Sequence, residues 1–397
     1  MKLTLLIFVS VLGMSSAYCQ ANILDSLLHQ DFQRKYLVHT PPGYDNDDAP
    51  VPAILFLHGG GGNIQSAQGF TRFNFVSNAE GFLMIYPQGY HSFAPESFTW
   101  ADGRNGGADQ AGIDDVGFLN KLLDTLMQDY SIDENRIYLC GFSNGSFMTQ
   151  RMAFEANDRF AAMGTLGGTL QESYLEESTP GRAIPMAYFF GTDDPFVPYD
   201  GGIVAGSGTL PVLGVEEAVD YWVENNDCQT ALPEVFLPDI DTSDHSTVSV
   251  FEYTDCACQN AQVIFYKMEG AGHTWAGVEL VNQEPVLGET NEDIFASREL
   301  WEFFSQFSLC DITSTSDISP DQVDIRVFPN PASGRFTIDS KADIDFVAVH
   351  NFSGQLIQQH KPESQELQLD LSQWPSGVYT LQLFISGMLH LDRIIIH

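Results

Sequence analysis

The run Arg136-Ile137-Tyr138-Leu139-Cys140-Gly141-Phe142-Ser143-Asn144-Gly145 holds the main clue to the architecture. Its first half is a short apolar segment of strand-forming residues. Beyond Gly145 comes a helix-like run through Met148, Met152 and Phe154. Gly141 and Gly145 flank Ser143 in the Gly-x-Ser-x-Gly spacing, where a strained strand-to-helix turn leaves no room for larger side chains and lifts the serine hydroxyl clear. A glycine-rich turn with a merely capping serine would show the same five residues. The strand before and the helix after are the context the reactive reading demands.

The neighbouring segments repeat the strand-then-helix rhythm. Pro52 to Leu57 is apolar and ends in His58 and four glycines, and Phe82 to Tyr86 is apolar and ends in Pro87. Asp114 to Tyr130 places Val116, Leu119, Leu122, Leu123, Leu126 and Met127 at helical spacing behind two aspartates that suit a helix N-terminus. Met186 to Phe190, Val248 to Tyr253 and Val263 to Met268 read as further strands, with helices near Val215 to Asn225 and Glu292 to Phe307. Such alternation predicts an α/β class with a mostly parallel sheet.

A serine hydroxyl is a weak nucleophile and needs a base, itself oriented by a carboxylate. In this fold the acid and then the histidine follow the serine along the chain. The turn after Met186 to Phe190 offers Asp193, Asp194 and, further on, Asp200, and position alone leaves the choice open. His273 stands on the glycine loop after Val263 to Met268, at the same expected sheet edge. The other histidines after Asp194 are His245, His350, His360, His390 and His397, four of them near the C-terminus. Oxyanion donors are expected from the Asn144 N–H and from the His58 to Gly62 loop, with Gly60 favoured. Trp275 beside the base, and Phe98, Trp100 and Arg104 ahead of the Asp114 helix, could stack a ring of the substrate; core packing is the competing role.

Other chemistry fits less well. The glycine run at 59–62 lacks the Gly-Lys-Ser/Thr ending of a phosphate loop. No two histidines lie three to five residues apart, so no catalytic metal and no cofactor are expected. With 53 acidic against 17 basic residues the 397-residue chain carries a formal charge of −36, which repels nucleic acid.

Residues 1–19 have the layout of an export signal: Lys2, an apolar run from Leu3 to Leu12, then small residues around Ala17. No later stretch is apolar for long enough to span a bilayer. Export makes disulfides plausible, with Cys228 expected to pair with Cys256 or Cys258, and Cys140 read as a buried free thiol. The expected division is a large domain over 20–310, a polar linker over 311–325 and a small β-sandwich over 326–397.

From Pro52 to about Phe307 the chain resembles the secreted polyhydroxybutyrate depolymerase and feruloyl esterase group, related to carbohydrate esterase family one. The resemblance rests on Leu57-His58-Gly59, Asp114-Asp115-Val116-Gly117-Phe118, Gly141 to Gly145, Asp158-Arg159-Phe160-Ala161-Ala162, Gly191-Thr192-Asp193-Asp194, Val197-Pro198-Tyr199 and Gly272-His273-Thr274-Trp275. It implies an α/β-hydrolase fold and ester hydrolysis through an acyl-enzyme. It also implies Asp194 as the triad acid, since the group's pattern is Gly-Thr-x-Asp followed by Val-Pro-Tyr. Phe190, Ser146 and Ala276 depart from the group's usual histidine, glycine and proline. Feruloyl or acetyl esters of polysaccharides, or hydroxyalkanoate polyesters, are the substrates the resemblance suggests.

The last seventy or so residues resemble a type IX secretion sorting domain, with Val327-Phe328-Pro329-Asn330-Pro331, Asn351-Phe352-Ser353-Gly354-Gln355 and Pro375-Ser376-Gly377-Val378-Tyr379. This implies the type IX machinery as partner and a secreted or surface location. A non-catalytic carbohydrate-binding surface protein delivered by the same tail is the expectation from another class.

Overall fold

Strands that are apolar along their whole length can be buried only if both faces of their sheet are covered. The segment Val51–Leu57 is one such strand, and the protein builds its main sheet around it. The computed structural model describes residues 20–91, 97–177, 179–204, 206–278, 284–309, 325–332, 335–351, 356–362, 364–370, 373–385 and 388–396. The expected export signal, and all but the last residue of the expected linker, lie outside the described residues.

The main sheet has eleven strands. Nine carry the architecture: β1 (Ala21–His29), β2 (Phe32–Thr40), β3 (Val51–Leu57), β4 (Leu83–Pro87), β5 (Ile132–Phe142), β6 (Ala162–Leu166), β7 (Met186–Gly191), β8 (Thr247–Thr254) and β9 (Val263–Glu269). They lie side by side in the order β1-β2-β4-β3-β5-β6-β7-β9-β8. The stretch from β4 to β9 is parallel throughout, whereas β1, β2 and β8 pair antiparallel. The expected α/β-hydrolase architecture is thus present, with an N-terminal hairpin over 21–40 that local pattern did not announce. Residues Ile23, Leu24 and Leu28 of that hairpin are exposed while Leu27, Tyr36, Leu37 and Val38 are buried, so apolar residues fall on both its exposed and its buried positions.

Alternation along β3 and β5 divides two cores. Leu55, Leu57, Ile137 and Leu139 face one side, where α1 (Asp115–Asp129), α2 (Asn144–Glu155) and α3 (Val215–Asn225) pack. Ile54, Phe56, Tyr138 and Cys140 face the other, against α4 (Ala296–Phe304). Each large apolar side chain so buried contributes about 1.5–3 kcal/mol. The α1 helix begins where the aspartates suggested: the Asp114 carboxylate accepts from the Gly117 N–H at 2.8 Å.

Among the described residues the C-terminal part has six antiparallel strands with a core of their own. Its long strand Arg335–Asn351 is bulged and pairs with four others. It touches the large domain along α4, where Arg393 meets Glu299 at 2.8 Å and Thr380 meets Glu302 at 2.5 Å. No helix among the described residues is long and apolar enough to cross a membrane.

Cys228 is bonded to Cys256, and Cys258 is also in a disulfide. Cys140 is a buried free thiol whose pKa burial pushes well up. Alkylation with iodoacetamide followed by peptide mapping should leave Cys140 unmodified in the native protein and modify it fully in denaturant. Rapid labelling of the native thiol would contradict its place in the core.

Candidate active site

Ligands of open α/β sheets bind beyond the carboxyl ends of the strands, where the winding direction reverses. Here the chain runs from β3 out to β4 and then crosses back to β5, so that point lies between β3 and β5. Leu57 pairs with Gly141, and Phe142 pairs with Leu166, which aligns the loops that follow these strands along one rim.

Ser143 turns from β5 into α2 with φ 53 and ψ −119, a strained backbone held by its surroundings. A Cβ at Gly141 would stand 2.2 Å from the Gly145 carbonyl oxygen, and one at Gly145 would stand 2.0 Å from that of Leu57. Only glycine lets the turn close this tightly. The Ser143 N–H donates to Leu166 O at 2.9 Å. Ser146 braces the turn: its hydroxyl lies 2.7 Å from Gly141 O and accepts from Leu166 N at 2.9 Å.

His273 comes to the same rim on the loop after β9. Its Nδ1 is 2.5 Å from Asp194 Oδ2, with both side chains nearly buried. The other Asp194 oxygen accepts from the N–H groups of Phe196 and Val197 at 2.8 and 2.9 Å, so the carboxylate is held from both ends. Asp193 and Asp200 are exposed. With Nδ1 turned to the carboxylate, Nε2 is the nitrogen left for a partner. The imidazole sits between Phe142 and Phe196, with ring centroids 4.7 and 5.3 Å away.

Ser143 and His273 line one cavity of about 580 Å3 with Gly60, Trp100, Asn144 and Phe147 among its walls. That volume is in the range of small-molecule sites. Gly60 crosses above the elbow, so that a Cβ on it would be 3.5 Å from the Asn144 Cβ. The N–H groups of Gly61 and Gly62 are used within the loop region, on Phe98 O at 2.8 Å and Gly59 O at 3.0 Å. Asn144 opens α2, so its N–H has no carbonyl one turn back to bond.

His58 keeps the glycine loop in shape. Its Nδ1 donates to Gly59 O at 2.8 Å and its Nε2 accepts from Gly89 N at 3.0 Å, which requires a neutral ring. Burial pushes its pKa down to about 4.

The two tryptophans part company. Trp100 lines the cavity, with its indole N–H donating to His58 O at 2.9 Å. Trp275 is fully buried, its N–H on Ser297 Oγ at 3.1 Å and its ring 5.3 Å from Phe56. It does not line the cavity, and its adjacency to His273 in sequence is the reason it looked like a contact residue. Phe142, Phe147, Phe196 and Val204 line the cavity instead; Phe142 belongs to the Gly-x-Ser-x-Gly run, and nothing in the local sequence of the other three marks them out.

Residues 34–177 match the family described as Esterase PHB depolymerase, and residues 326–397 match the Secretion system C-terminal sorting domain. The chain is 27% identical over 279 residues to feruloyl esterase D of Neurospora crassa, covering 69% of this chain and 82% of that one. It is 26% identical over 274 residues to NocK of Nocardia uniformis subsp. tsuyamanensis, which carries an esterase name, covering 66% of this chain and 76% of that one. Among solved structures, acetyl xylan esterase from Aspergillus awamori matches with a TM-score of 0.44 and 13% identity, over 71% of this chain and 99% of that one. Residues 34–177 are thus similar to esterases of the polyhydroxybutyrate depolymerase type, and residues 326–397 to a C-terminal sorting domain. The protein is a carboxylic ester hydrolase, which sets aside the expectation of a purely binding module.

Two measurements test this geometry. Trp275→Ala should cost about 3–5 kcal/mol of stability, as expected for emptying a packed aromatic site. A drop confined to turnover, with stability unchanged, would return Trp275 to the cavity. His58 favours the folded state while neutral. Its contribution is therefore complete above about 6.5, the ordinary histidine value, and is lost as pH falls toward about 4. Denaturant unfolding across that window should show an acid-side loss on the order of 3 kcal/mol attributable to this residue, which His58→Gln flattens. An unchanged slope in the variant would show that another group titrates.

Proposed function

We propose that Ser143, His273 and Asp194 form the nucleophile, base and orienting acid of a serine esterase. The observation that carries the reading is the 2.5 Å His273–Asp194 pair opening onto the cavity that Ser143 lines. Asp194 holds the imidazole in the tautomer with Nε2 free, and Nε2 takes the Ser143 proton as the oxygen attacks the ester carbonyl. The N–H groups of Asn144 and Gly60 receive the negative charge that develops on the carbonyl oxygen. His273 then passes the proton to the departing alcohol, and water repeats the sequence on the acyl-enzyme to release the acid. No step needs a cofactor.

The cavity favours an ester with a sizeable acyl or alcohol part, since Trp100, Phe142, Phe147 and Phe196 present rings along it. Feruloyl or acetyl esters on polysaccharide fit these walls and accord with the printed names of the relatives; hydroxyalkanoate polyester is the second reading, favoured by the family match. The sorting domain supports export to the medium or cell surface, with type IX secretion machinery as partner.

Wild-type protein should hydrolyse p-nitrophenyl esters and react covalently with a fluorophosphonate. Ser143→Ala should abolish both, and Asp194→Asn should lower kcat by roughly 10^4-fold. Retained hydrolysis in Ser143→Ala would end the reading. Feruloylated arabinoxylan, acetylated xylan and polyhydroxybutyrate film, offered side by side, identify the substrate class by the acid released.

A further inference from the structure

We propose that the buried Asp102–Arg104 ion pair is a positioning device for ester cleavage, acting through the Asn144 side chain on the backbone N–H of that residue. The proposal rests on the assignment of Ser143, His273 and Asp194 made above. Asn144 directly follows the nucleophile, yet its side chain points away from chemistry into a closed set of bonds. Its Oδ1 accepts from Trp100 N at 2.8 Å and Thr99 Oγ1 at 2.9 Å. Its Nδ2 donates to Asp102 Oδ2 at 2.6 Å and Trp100 O at 3.3 Å. An amide held by four partners cannot rotate.

Arg104 anchors the far side of this arrangement. Its Nε and Nη2 donate to Asp102 Oδ2 at 3.0 and 2.5 Å, and Asp102 Oδ1 accepts from the Arg104 N–H at 3.1 Å. Nη2 also donates to Ser207 Oγ at 2.9 Å, and the guanidinium lies 3.6 Å over the ring of Phe147, which follows Asn144 along α2. Asn144, Asp102 and Arg104 are 5%, 2% and 1% exposed. Trp100 and Ser207, which both line the cavity, and Asn144 after Ser143 therefore meet at one ion pair.

Stability does not account for it. Buried ion pairs rarely outperform apolar packing of the same volume, and Arg104 Nη1 is buried without a hydrogen-bond partner among the described residues, a net penalty. Location is what the pair supplies. An oxyanion donor acts because it is aimed before the charge appears, and a misplacement of about 1 Å can cost about 100-fold.

Single substitutions on either side of the Asn144–Asp102 bond test this in the full chain with a soluble aryl ester. Asn144→Asp sets a carboxylate against Asp102, and Asp102→Asn removes the charge that Arg104 and Asn144 share. Each should lower kcat about 10- to 100-fold with KM little changed and with fluorophosphonate labelling slowed in parallel. Asn144→Ala, which removes the amide and leaves the ion pair intact, should show the same kcat loss at unchanged KM. A folded single variant with wild-type kcat, or one whose loss lies in KM alone, overturns the proposal. Should Asp102→Asn fail to fold, Asn144→Ala carries the test; unchanged kcat there also overturns it. Failure of the underlying triad is seen separately, as an inactive wild type or an active Ser143→Ala.

Discussion

The contact between Gly145 and the Leu57 carbonyl underlies the rest of the site. Because no Cβ intervenes, the first turn of α2 lies directly against the end of β3. That single approach brings the glycine loop at 59–62 over the serine turn, and with it Gly60 over Asn144. The strained Ser143 backbone is tolerable because neighbouring strands hold it: Leu166 supplies its carbonyl, and Ser146 ties the turn to the same strand. Strain of this kind, about 1–3 kcal/mol, persists only where packing over-determines it.

Electrostatics around the rim follow a common plan in which each charged or polar group is held at more than one point. Asp194 is gripped by two backbone N–H groups on one oxygen and by His273 on the other. Asp115, buried under the cavity wall, binds Arg34 at 2.5 Å with one oxygen and the Ala101 N–H at 2.7 Å with the other. His58 is kept neutral by a donor on one side and an acceptor on the other. A buried group so bonded loses the freedom to answer a substrate by moving, which is the condition for preorganised catalysis.

Much of this was legible along the chain because it depends on near neighbours. The strand, glycine turn and helix around Ser143 lie within about twenty residues, and their steric requirement is written in Gly141 and Gly145. The Asp114 cap and the apolar spacing behind it belong to the same class, as do the buried strands at Val51–Leu57 and Met186–Gly191. The exchange of bonding partners that separates Asp194 from Asp193 was not of this kind. Both sit on one turn, and only a family pattern distinguished them before the backbone N–H groups of Phe196 and Val197 were seen to face one of the two.

What local chemistry specified is the strained turn at Ser143 and the type of each major element, since these follow from sterics and periodicity over a few turns of chain. Long-range packing alone assigned the remainder. It placed Trp275 in the core behind the histidine rather than in the cavity, because Phe56, Phe70 and Phe73 come from distant elements to enclose it. It likewise gave Asp102 and Arg104 their place beside Asn144, since the Asp102 side chain, 42 residues away along the chain, becomes a hydrogen-bond partner only through the tertiary fold.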